Sequence, residues 1–344
     1  MSYKISVILP IFNGEKTINR AIESVINQTI GFENIELILY DDASTDRSRE
    51  IILDYAKEYG NIVPILSDDN SGYPGRGRNE GIKRSSADFV MFMDNDDEYR
   101  SDFCEKLYDA AVKYDADVVL CDYIEEDYVS SYVCKTSYNG EIVENDSTVI
   151  FDHHVKNLNN MMLWNNLFRK SIIEKNKIRF PEDKLAEDIY FSYLNYMHAN
   201  KVVYLKSYIG YVRHIQGTSL SRTLSFKKIE ESLTVLSEIV DEFNSNNYKP
   251  DYNVLFNANI RLTLKYIYMS QDFKDKKEIK KLLKQLYDFE RKIDFEYDYA
   301  PIFKIANFLL THRMCNLLIL YLKTLRAFAK SRLIRNIYRS TLGN

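Results

Sequence analysis

The sequence has little cysteine, glycine or proline and no long uncharged stretch. Its 344 residues include 4 Cys, 11 Gly and 6 Pro, which excludes a disulfide scaffold and a collagen-like or low-complexity chain. The longest runs without Asp, Glu, Lys or Arg are 12 residues, 157–168 and 189–200, short of the roughly 18 that a membrane-spanning helix needs. A strand pattern begins at Ile5, so no signal peptide is expected. The cysteines lack CxxC spacing and are expected to be reduced thiols of a cytoplasmic protein.

The composition is globular, with 45% hydrophobic and 28% charged residues. At roughly 150 residues per domain, the length predicts about two domains. The formal net charge of −4 is unevenly distributed, because residues 301–344 carry eight Lys or Arg and no Asp or Glu, which leaves −12 on the preceding 300 residues. This basic, apolar end on an acidic body predicts an anionic surface as a partner, and no nucleic-acid partner is predicted.

Strand and helix patterns alternate over the first 125 residues. Short apolar runs predict buried strands over 5–9, 35–40, 62–66, 89–93 and 118–121. Apolar positions spaced by three and four residues predict helices over 18–26, 51–59, 77–85 and 102–114. The short links between these elements indicate a mostly parallel sheet that is covered by helices on both faces.

The alternation stops after residue 125. Residues 126–150 predict a β-hairpin with a tight turn at Asn139-Gly140, and a later strand is predicted over 201–205. Helices are predicted over 153–176, 186–199, 225–244, 252–270, 275–292 and 301–342. Because the pattern is entirely helical beyond about residue 222, we expect the chain to divide into residues 1–222 and 223–344.

Polar side chains follow each of the first four predicted strands, at the edge where open parallel sheets bind ligands. The segments are Pro10–Gly14, Asp41–Asp46, Asn70–Gly72 and Asp94–Asp97. Two carboxylate clusters at one edge repel each other unless a cation lies between them, and Mg²⁺ or Mn²⁺ holding a nucleoside diphosphate would supply that charge. Neither GxGxxG after the first strand nor a GxxxxGK(S/T) loop is present, so phosphates are expected to be held through a metal ion.

These segments resemble the motifs of family-two glycosyltransferases, which have the GT-A fold. The matching stretches are ISVILPIFNGEKTINRAIESVINQT, YDDASTDRS, the run from Asn70-Ser71-Gly72 to GRGRNEGI, and DFVMFMDNDDEY. Residues 164–191 resemble the acceptor-side half of the same family, and the whole resemblance covers about residues 3–215. Arg76 and Gly77 stand where many members carry other small residues. The resemblance implies a Rossmann-like GT-A domain over 1–222, with a nucleotide-binding half, 1–125, and an acceptor-side half, 126–222, followed by a helical C-terminal region.

The resemblance also implies roles for individual residues. Asp188 would be the general base that deprotonates the acceptor hydroxyl. Asp94 and Asp96 would form the DxD pair that meets the ribose and the metal, with Asp96 as the direct metal ligand and His214 beside the metal or the diphosphate. The residues assigned to the nucleotide-sugar are Pro10, Phe12, Asn13, Asp42, Asn70, Arg78, Asp94 and Asn95.

The implied activity is transfer of a sugar from a UDP-sugar to a hydroxyl of a polysaccharide or lipid-linked glycan, with inversion and with Mn²⁺ or Mg²⁺. One alternative is a sugar-1-phosphate nucleotidylyltransferase, which would carry a Gly-rich, Arg- or Lys-bearing loop after the first strand, where this chain has PIFNGE. Another is a non-catalytic glycan-binding protein with the same fold. Such a protein would be expected to lack at least one of Asp42, Asp96 and Asp188, and all three are present.

Several assignments have a structural alternative. Asp42 could belong to a turn only, and Glu187-Asp188 could simply supply favourable charge to the first turn of a helix. His214 could be a hydrogen-bonded structural histidine, and Trp164 could be core rather than an acceptor platform. The apolar residues among the basic ones in 301–344 predict either a helix in an anionic membrane interface or a core or oligomer helix. The first choice would place the protein at the inner face of the cell membrane.

Overall fold

The structure is a computed structural model, and it describes residues 3–126, 131–133, 140–144, 162–215, 225–250, 263, 276–292, 305, 308–309 and 314–329. The chain divides into two compact units, Met1–Ser219 and Leu220–Asn344. The first unit contains the sheet and the second contains helices.

Strands and helices alternate in the first half of the first unit, as predicted. The strands are β1 Ile5–Ile11, β2 Ile35–Asp41, β3 Ile62–Leu66, β4 Phe89–Phe92, the two-residue β5 Glu98–Tyr99, and β6 Val118–Glu126. The helices are α1 Ile18–Ile26, α2 Ser48–Glu58, α3 Gly75–Arg84 and α4 Phe103–Tyr114. A short 3-10 turn, Phe32–Asn34, leads into β2.

The second half of this unit departs from the prediction in two places. Its elements are β7 Ser131–Val133, β8 Gly140–Glu144, β9 Asn166–Arg169, α5 Lys170–Lys175, α6 Glu187–His198 and β10 Val202–His214. The predicted hairpin is wrong in its pairing, because β7 pairs with β6 and β8 pairs with β10. The helix predicted over 153–176 is wrong over 162–169, where a turn leads into β9, a strand that lies between two others. The helix over 186–199 is confirmed, and residues 153–161 lie outside the described part of the chain.

The strands form one sheet in the order β3-β2-β1-β4-β9-β6-β10-β5, with β7 beside β6 and β8 beside β10. β3, β2, β1 and β4 are parallel, as are β6 and β10. β9 is antiparallel to both of its neighbours, β4 and β6. The sheet is therefore mixed but mostly parallel, and β1, β2 and β4 all end at one edge.

Burial on both faces keeps this edge fixed. Every residue of β2 is buried, and β1 is buried except for the partly exposed Pro10. α1 covers the sheet with Ile18, Ala21, Ile22 and Val25, all fully buried. Each of the buried isoleucine and valine side chains contributes roughly 1.5–3 kcal/mol. The loops that leave the carboxyl ends of the strands are therefore anchored on a well-packed base.

The second unit contains α7 Phe226–Ser245, α8 Lys276–Glu290 and α9 Cys315–Ala329. Gln285 Nε2 of α8 donates to Thr234 Oγ1 of α7 at 3.4 Å, and Lys292 Nζ donates to Ser237 Oγ at 2.6 Å. The helices predicted over 225–244 and 275–292 are confirmed. The helix predicted over 252–270 lies outside the described residues except for Thr263. Of the helix predicted over 301–342, residues 305, 308–309 and α9 are helical, but Met314 is not, so the prediction of one continuous helix is wrong at that residue. In the described parts of the chain, none of the helices has the length and apolar character of a membrane span.

Candidate functional site

β1 and β2 end side by side at the carboxyl edge of the sheet. Ile11 and Asp41 are the last register partners of these parallel strands, so the loops that follow begin next to each other. Pro10 lies one residue before the end of β1 and is partly buried. Phe12, the first residue after the strand, is 49% exposed. Both residues are assigned to the nucleotide, and both lie at this edge.

Hydrogen bonds of Asn13 link the loop after β1 to the loop after β2. Its backbone is left-handed, with φ 51°, a conformation that Asn tolerates better than most residues. Asn13 Oδ1 accepts a hydrogen bond from the Thr45 amide at 2.8 Å, and the Asn13 amide donates to Ser44 Oγ at 3.0 Å. The next amide, that of Gly14, donates to Ser48 Oγ at 2.8 Å. Asn13 thus shapes the rim of the site.

Asp42 follows β2 and is held by bonds within the chain. Its carboxylate accepts from the Ser71 amide at 3.0 and 3.1 Å and from Ser71 Oγ at 2.8 Å. It also forms an ion pair with Arg76 at 3.0 Å. Asn70 Nδ2 donates to the Asp42 carbonyl at 2.9 Å, so two residues assigned to the nucleotide meet here. Because both carboxylate oxygens already have partners, a nucleobase N–H would have to share or replace one of these bonds.

Arg76 is a site residue without a sequence-based role. It lies in the first turn of α3, and besides Asp42 it contacts Asp69 at 2.8 Å and Ser67 Oγ at 3.1 Å. The hydrogen bond with Asp69 and the one with Asp42 raise the pKa of Arg76, so it is a permanent cation. The sequence contained an indication of this role, because Arg76 lies at the start of α3 and follows two acidic loops in the chain.

Arg78 joins the loop after β4 to the start of α6. Arg78 Nη2 donates to Asp94 Oδ1 at 2.9 Å, and Nη1 donates to Glu187 Oε1 at 2.7 Å. The guanidinium lies over the ring of Phe180, 5.5 Å from its centroid. Since the Arg78 side chain is only 6% exposed, its charge is stabilised mainly by these neighbours. The structure thereby brings Asp94 and the Glu187-Asp188 segment to one cation.

Glu187 and Asp188 occupy the first turn of α6, just after Ala186, whose left-handed backbone has φ 66°. Burial raises the pKa of Glu187 to about 7; Asp188 adds to the rise and Arg78 opposes it. Burial also raises the pKa of Asp188, whereas Arg78 lowers it. Asp188 Oδ1 accepts a hydrogen bond from the Ile189 amide at 2.9 Å. Asp188 is thus a carboxylate of raised proton affinity, as a general base requires.

The Asp94–Asp97 loop is held against the loop after β1. A Cβ on Gly14 would lie 2.3 Å from Asn95 Nδ2, so Asn95 packs closely on that glycine. Arg20 donates a hydrogen bond to the carbonyl of Asp96. Burial and the nearby Asp94 carboxylate raise the pKa of Asp96. The two carboxylates of the DxD pair therefore repel each other, and a bound cation would relieve that repulsion.

Hydrogen bonds of Asp97 link the Asp94–Asp97 loop to the end of β10. Asp97 Oδ2 accepts from the Tyr211 hydroxyl at 2.6 Å, and Oδ1 accepts from the His214 amide at 2.9 Å. His214 is therefore brought to the DxD loop, where its Nε2 lies 3.3 Å from Glu98 Oε2. Burial raises the pKa of Asp97 well above its ordinary value. Asp97 has no sequence-based role, although it is the last residue of the DNDD segment.

Trp164 packs behind Asp97. Its ring stacks on Tyr211 with the centroids 4.2 Å apart and the planes at 23°. The ring of Tyr123 meets it edge-on, with the centroids 4.5 Å apart. Trp164 is only 5% exposed, so of its two predicted roles the structure favours the core residue.

The acidic groups at this edge can supply one or two ligands to a divalent cation. Among the described residues there is no group of three or more His, Cys, Asp or Glu side chains placed to hold a metal ion. Mg²⁺ bound with a nucleotide usually takes one or two protein carboxylates and completes its shell with phosphate oxygens and water. Asp96, with its raised pKa beside Asp94, suits such a ligand. The donor set therefore fits a cation that arrives with a diphosphate.

Comparisons with known proteins agree with this architecture. Residues 6–171 match the family model described as Glycosyl transferase family 2. EpsH of Bacillus subtilis (strain 168) is 30% identical over 256 residues, covering 72% of this chain and 71% of EpsH. TarP of Staphylococcus aureus (strain N315), a poly(ribitol-phosphate) beta-N-acetylglucosaminyltransferase, is 31% identical over 227 residues, 65% of this chain and 67% of TarP. Two other curated relatives, 30% and 33% identical, are longer, and the chain covers 34% and 30% of their length.

A solved structure shows the same fold. The crystal structure of S. aureus TarS 1–349 in complex with UDP-GlcNAc superimposes with a TM-score of 0.73 and 18% identity, covering 94% of this chain and 92% of that one. The mostly parallel sheet with helices on both faces and an acidic carboxyl edge defines a GT-A protein. The chain belongs to glycosyltransferase family 2, a family of enzymes, which confirms the predicted fold class and the resemblance.

Proposed function

We propose that the chain transfers a sugar from a UDP-sugar to a hydroxyl of a polysaccharide or lipid-linked glycan, with inversion at the anomeric carbon. The observation that carries this proposal is the network in which Arg78 bonds both Asp94 and Glu187, the neighbour of Asp188. It places a donor-side carboxylate and the segment that carries the proposed base on two sides of one cation. A leaving group and an attacking hydroxyl can then be oriented in one place, which is the main requirement of group transfer.

One solved neighbour supports a UDP-sugar as the donor, and one relative supports N-acetylglucosamine as the sugar. TarP is named as an N-acetylglucosaminyltransferase, and TarS was solved with UDP-GlcNAc. In this chain we assign the nucleobase to Pro10, Phe12 and Asp42. Asn13, Asn70 and Asn95 shape the loops that surround the donor, and Asp94 contacts its ribose.

Asp188 acts as the general base in this proposal. Its carboxylate accepts the proton of the acceptor hydroxyl as the oxygen attacks the anomeric carbon. The bond between that carbon and the UDP oxygen breaks as the glycosidic bond forms, so a single displacement inverts the configuration and releases UDP. A base of this kind contributes roughly 10²–10⁴-fold to the rate.

We propose Mn²⁺ or Mg²⁺ as the cation that binds with the donor. Asp96 would be its carboxylate ligand, since hard oxygen ligands suit both ions, and His214 would lie beside it. The ion would supply positive charge to the departing diphosphate.

We further propose that the protein works in the cytoplasm, at the inner face of the cell membrane. Residues 301–344 carry eight Lys or Arg and no acidic residue. On α9, Leu317 and Leu320 are 45% and 55% exposed, and Lys323 is exposed near them. Exposed apolar and basic side chains on one helix suit an anionic lipid interface, where each basic residue contributes about 1 kcal/mol.

The domain roles are part of this proposal. Residues 1–222 would form the catalytic domain, with the nucleotide-binding half over 1–125 and the acceptor-side half over 126–222. Residues 223–344 would form a helical C-terminal domain that ends in the basic tail, 301–344.

A donor screen tests the proposed function. Thermal unfolding is measured with UDP-, GDP- and CDP-sugars in the presence of Mn²⁺ and again with EDTA. We expect a UDP-sugar to raise Tm most and the rise to shrink with EDTA, because a ligand that binds only the folded state stabilises it. A larger rise with a GDP- or CDP-sugar would contradict the donor assignment. No response to any nucleotide-sugar would contradict the proposed use of a nucleotide-sugar donor.

A further inference from the structure

Three carboxylates from two distant parts of the chain interact electrostatically with the Arg78 guanidinium, and two of them bond it directly. Asp94 comes from the loop after β4, and Glu187 and Asp188 come from the start of α6. One terminal nitrogen of Arg78, Nη2, donates a hydrogen bond to Asp94, and the other, Nη1, donates to Glu187. With all side chains ionised, one positive charge interacts with three negative ones, and the side chains of Arg78 and Glu187 are only 6% and 7% exposed. The protonation of the cluster therefore depends on how that single positive charge is shared.

The distance between Arg78 and α6 is fixed by contacts on either side of the arginine along α3. A Cβ on Gly75 would lie 2.1 Å from the Pro181 carbonyl oxygen, so the segment before α6 lies directly against the helix. On the other side, Asn79 Nδ2 donates to the Phe180 carbonyl and Asn79 Oδ1 accepts from the Phe180 amide, both at 2.9 Å. The Arg78–Glu187 ion pair thus forms between two anchored elements.

The charged groups that face the start of α6 come from three elements. Burial raises the pKa of both Glu187 and Asp188; Arg78 of α3 lowers both values, and Asp94 of the β4 loop raises both. On α6 itself the Asp188 carboxylate raises the pKa of Glu187 and adds to the rise in the pKa of Tyr193 that burial causes. Glu187 is the member of the pair that holds Arg78 by a direct bond, so it decides where the positive charge lies relative to Asp188.

We infer that Glu187 is a positioning residue for the proposed base: it holds Arg78 between the donor-side Asp94 and α6, and the ionisation of Asp188 depends on that ion pair. This inference rests on the proposed function, because it acts through Asp188. It also couples the donor side of the site to α6. A donor that draws Asp94 away from Arg78 strengthens the interaction of Arg78 with the carboxylates of α6. By the same coupling, a change at Glu187 alters the interaction between Arg78 and Asp94 to the same extent.

The test compares Glu187→Gln and Arg78→Met with a matched control, Glu182→Gln. Glu182 lies in the segment before α6 and accepts a hydrogen bond from Asn79 Nδ2 of α3 at 2.8 Å, so its contact with α3 is made through Asn79. The measured quantity is the pH profile of kcat for UDP release from UDP-GlcNAc with poly(ribitol phosphate) as acceptor. Glu187→Gln removes a negative charge beside Asp188 and should shift the acid limb to lower pH, whereas Arg78→Met should shift it to higher pH, each by about one unit. Glu182→Gln should leave it in place.

The same proteins provide a readout that does not depend on turnover. A carboxyl whose pKa rises on folding stabilises the protein at low pH, and this stabilisation is lost as pH rises through the folded value. For Glu187 the window runs from its ordinary 4.5 to about 7. Over this window Tm of the wild type should fall relative to that of Glu187→Gln, and Glu182→Gln should follow the wild type. Parallel curves for all three proteins would overturn the inference.

Two further variants separate the possible failures. If Asp188→Asn turns over normally, the proposed base is wrong and the inference falls with it. If Asp188→Asn is inactive but Glu187→Gln keeps the wild-type acid limb, the proposed function stands and only the positioning role is overturned. Arg78→Lys keeps the charge but lacks the planar fork for two carboxylates, so it should lower kcat and keep the acid limb. A shift as large as that of Arg78→Met would contradict the charge argument.

Discussion

Arg76 and Asp42 form an ion pair of 3.0 Å between α3 and the end of β2. Two residues further along the same helix, Arg78 bonds Asp94 and Glu187. The first turn of α3 therefore carries two cations, one for the carboxylate assigned to the nucleobase and one for the carboxylates assigned to the ribose and the acceptor side. This single turn connects the loops after β2 and β4 with the start of α6.

Replacing Arg76 should weaken nucleotide binding. Arg76→Ala leaves the buried Asp42 carboxylate without its cation, and losing such a partner costs roughly 1–3 kcal/mol. We expect the Kd for UDP to rise about tenfold, which is about 1.4 kcal/mol. Isothermal titration calorimetry with UDP and Mn²⁺ measures this. Arg47→Ala, which breaks an exposed ion pair with Glu50, serves as the control, and equal affinities for both variants and the wild type would argue against a nucleotide role for Asp42.

Asp188→Asn should slow transfer by at least about 100-fold and leave the affinity for the nucleotide-sugar nearly unchanged, because the amide cannot accept the acceptor proton. UDP release measures the rate, and calorimetry measures the affinity. The control is Asp183→Asn, the same change at an exposed aspartate of the preceding segment. Turnover at the wild-type rate would remove Asp188 from the base role.

Asp96→Ala should abolish the tightening of UDP binding by Mn²⁺, because it removes the proposed carboxylate ligand of the ion. Calorimetric titrations of UDP with and without Mn²⁺ give the ratio of the two Kd values. Asp109→Ala, at an exposed position of α4, should keep the wild-type ratio. An unchanged ratio in Asp96→Ala would count against the metal assignment.

Gly75→Ala should destabilise the first unit. Its Cβ would lie 2.1 Å from a backbone carbonyl oxygen, that of Pro181, and overpacking of this kind costs roughly 1–3 kcal/mol. Thermal or urea unfolding gives the change in the free energy of unfolding. Gly60→Ala is the matched control, because nothing lies within 4 Å of a Cβ at that position. Equal stabilities of the two variants would mean that the segment before α6 moves easily away from α3.

The paired change Leu317→Asn and Leu320→Asn should reduce binding to vesicles that contain phosphatidylglycerol, since it removes the exposed apolar side chains of α9. Flotation of the full chain with such vesicles measures binding, and phosphatidylcholine vesicles test the need for negative charge. Val112→Asn alters another exposed apolar residue, on α4, and should float like the wild type. Flotation of the paired variant at the wild-type level would contradict the membrane role. Light scattering would then show whether this surface joins copies of the chain.

The first half of the sheet could be predicted from the sequence because its strands are buried on both faces. Nearly continuous apolar runs therefore form β1, β2 and β4, and such runs can be predicted as strands without knowing which strands pair with them. β9 could not be predicted in this way. It has four residues, and it is a strand because β4 and β6 flank it, which is a long-range property that local periodicity does not contain.

The same distinction applies to the site. Asp42, Asp94 and Asp96 directly follow strands, so their position at the carboxyl edge follows from the order of elements. The partners of these residues come from packing between distant segments. The bond from the Tyr211 hydroxyl to Asp97 depends on where β10 ends, and that from Arg78 to Glu187 depends on how α6 approaches α3. The sequence therefore indicates the acidic residues but not the groups that hold them.

The packing of Trp164 against Tyr211 has a practical consequence. Trp164 is the only tryptophan of the chain, and the tyrosine beneath it bonds Asp97 in the loop that carries the DxD pair. Fluorescence excited selectively at tryptophan therefore comes from one known position, directly behind the donor side. A rearrangement of that loop would alter the wavelength or intensity of this fluorescence, so the unlabelled protein contains its own fluorescent probe of substrate binding.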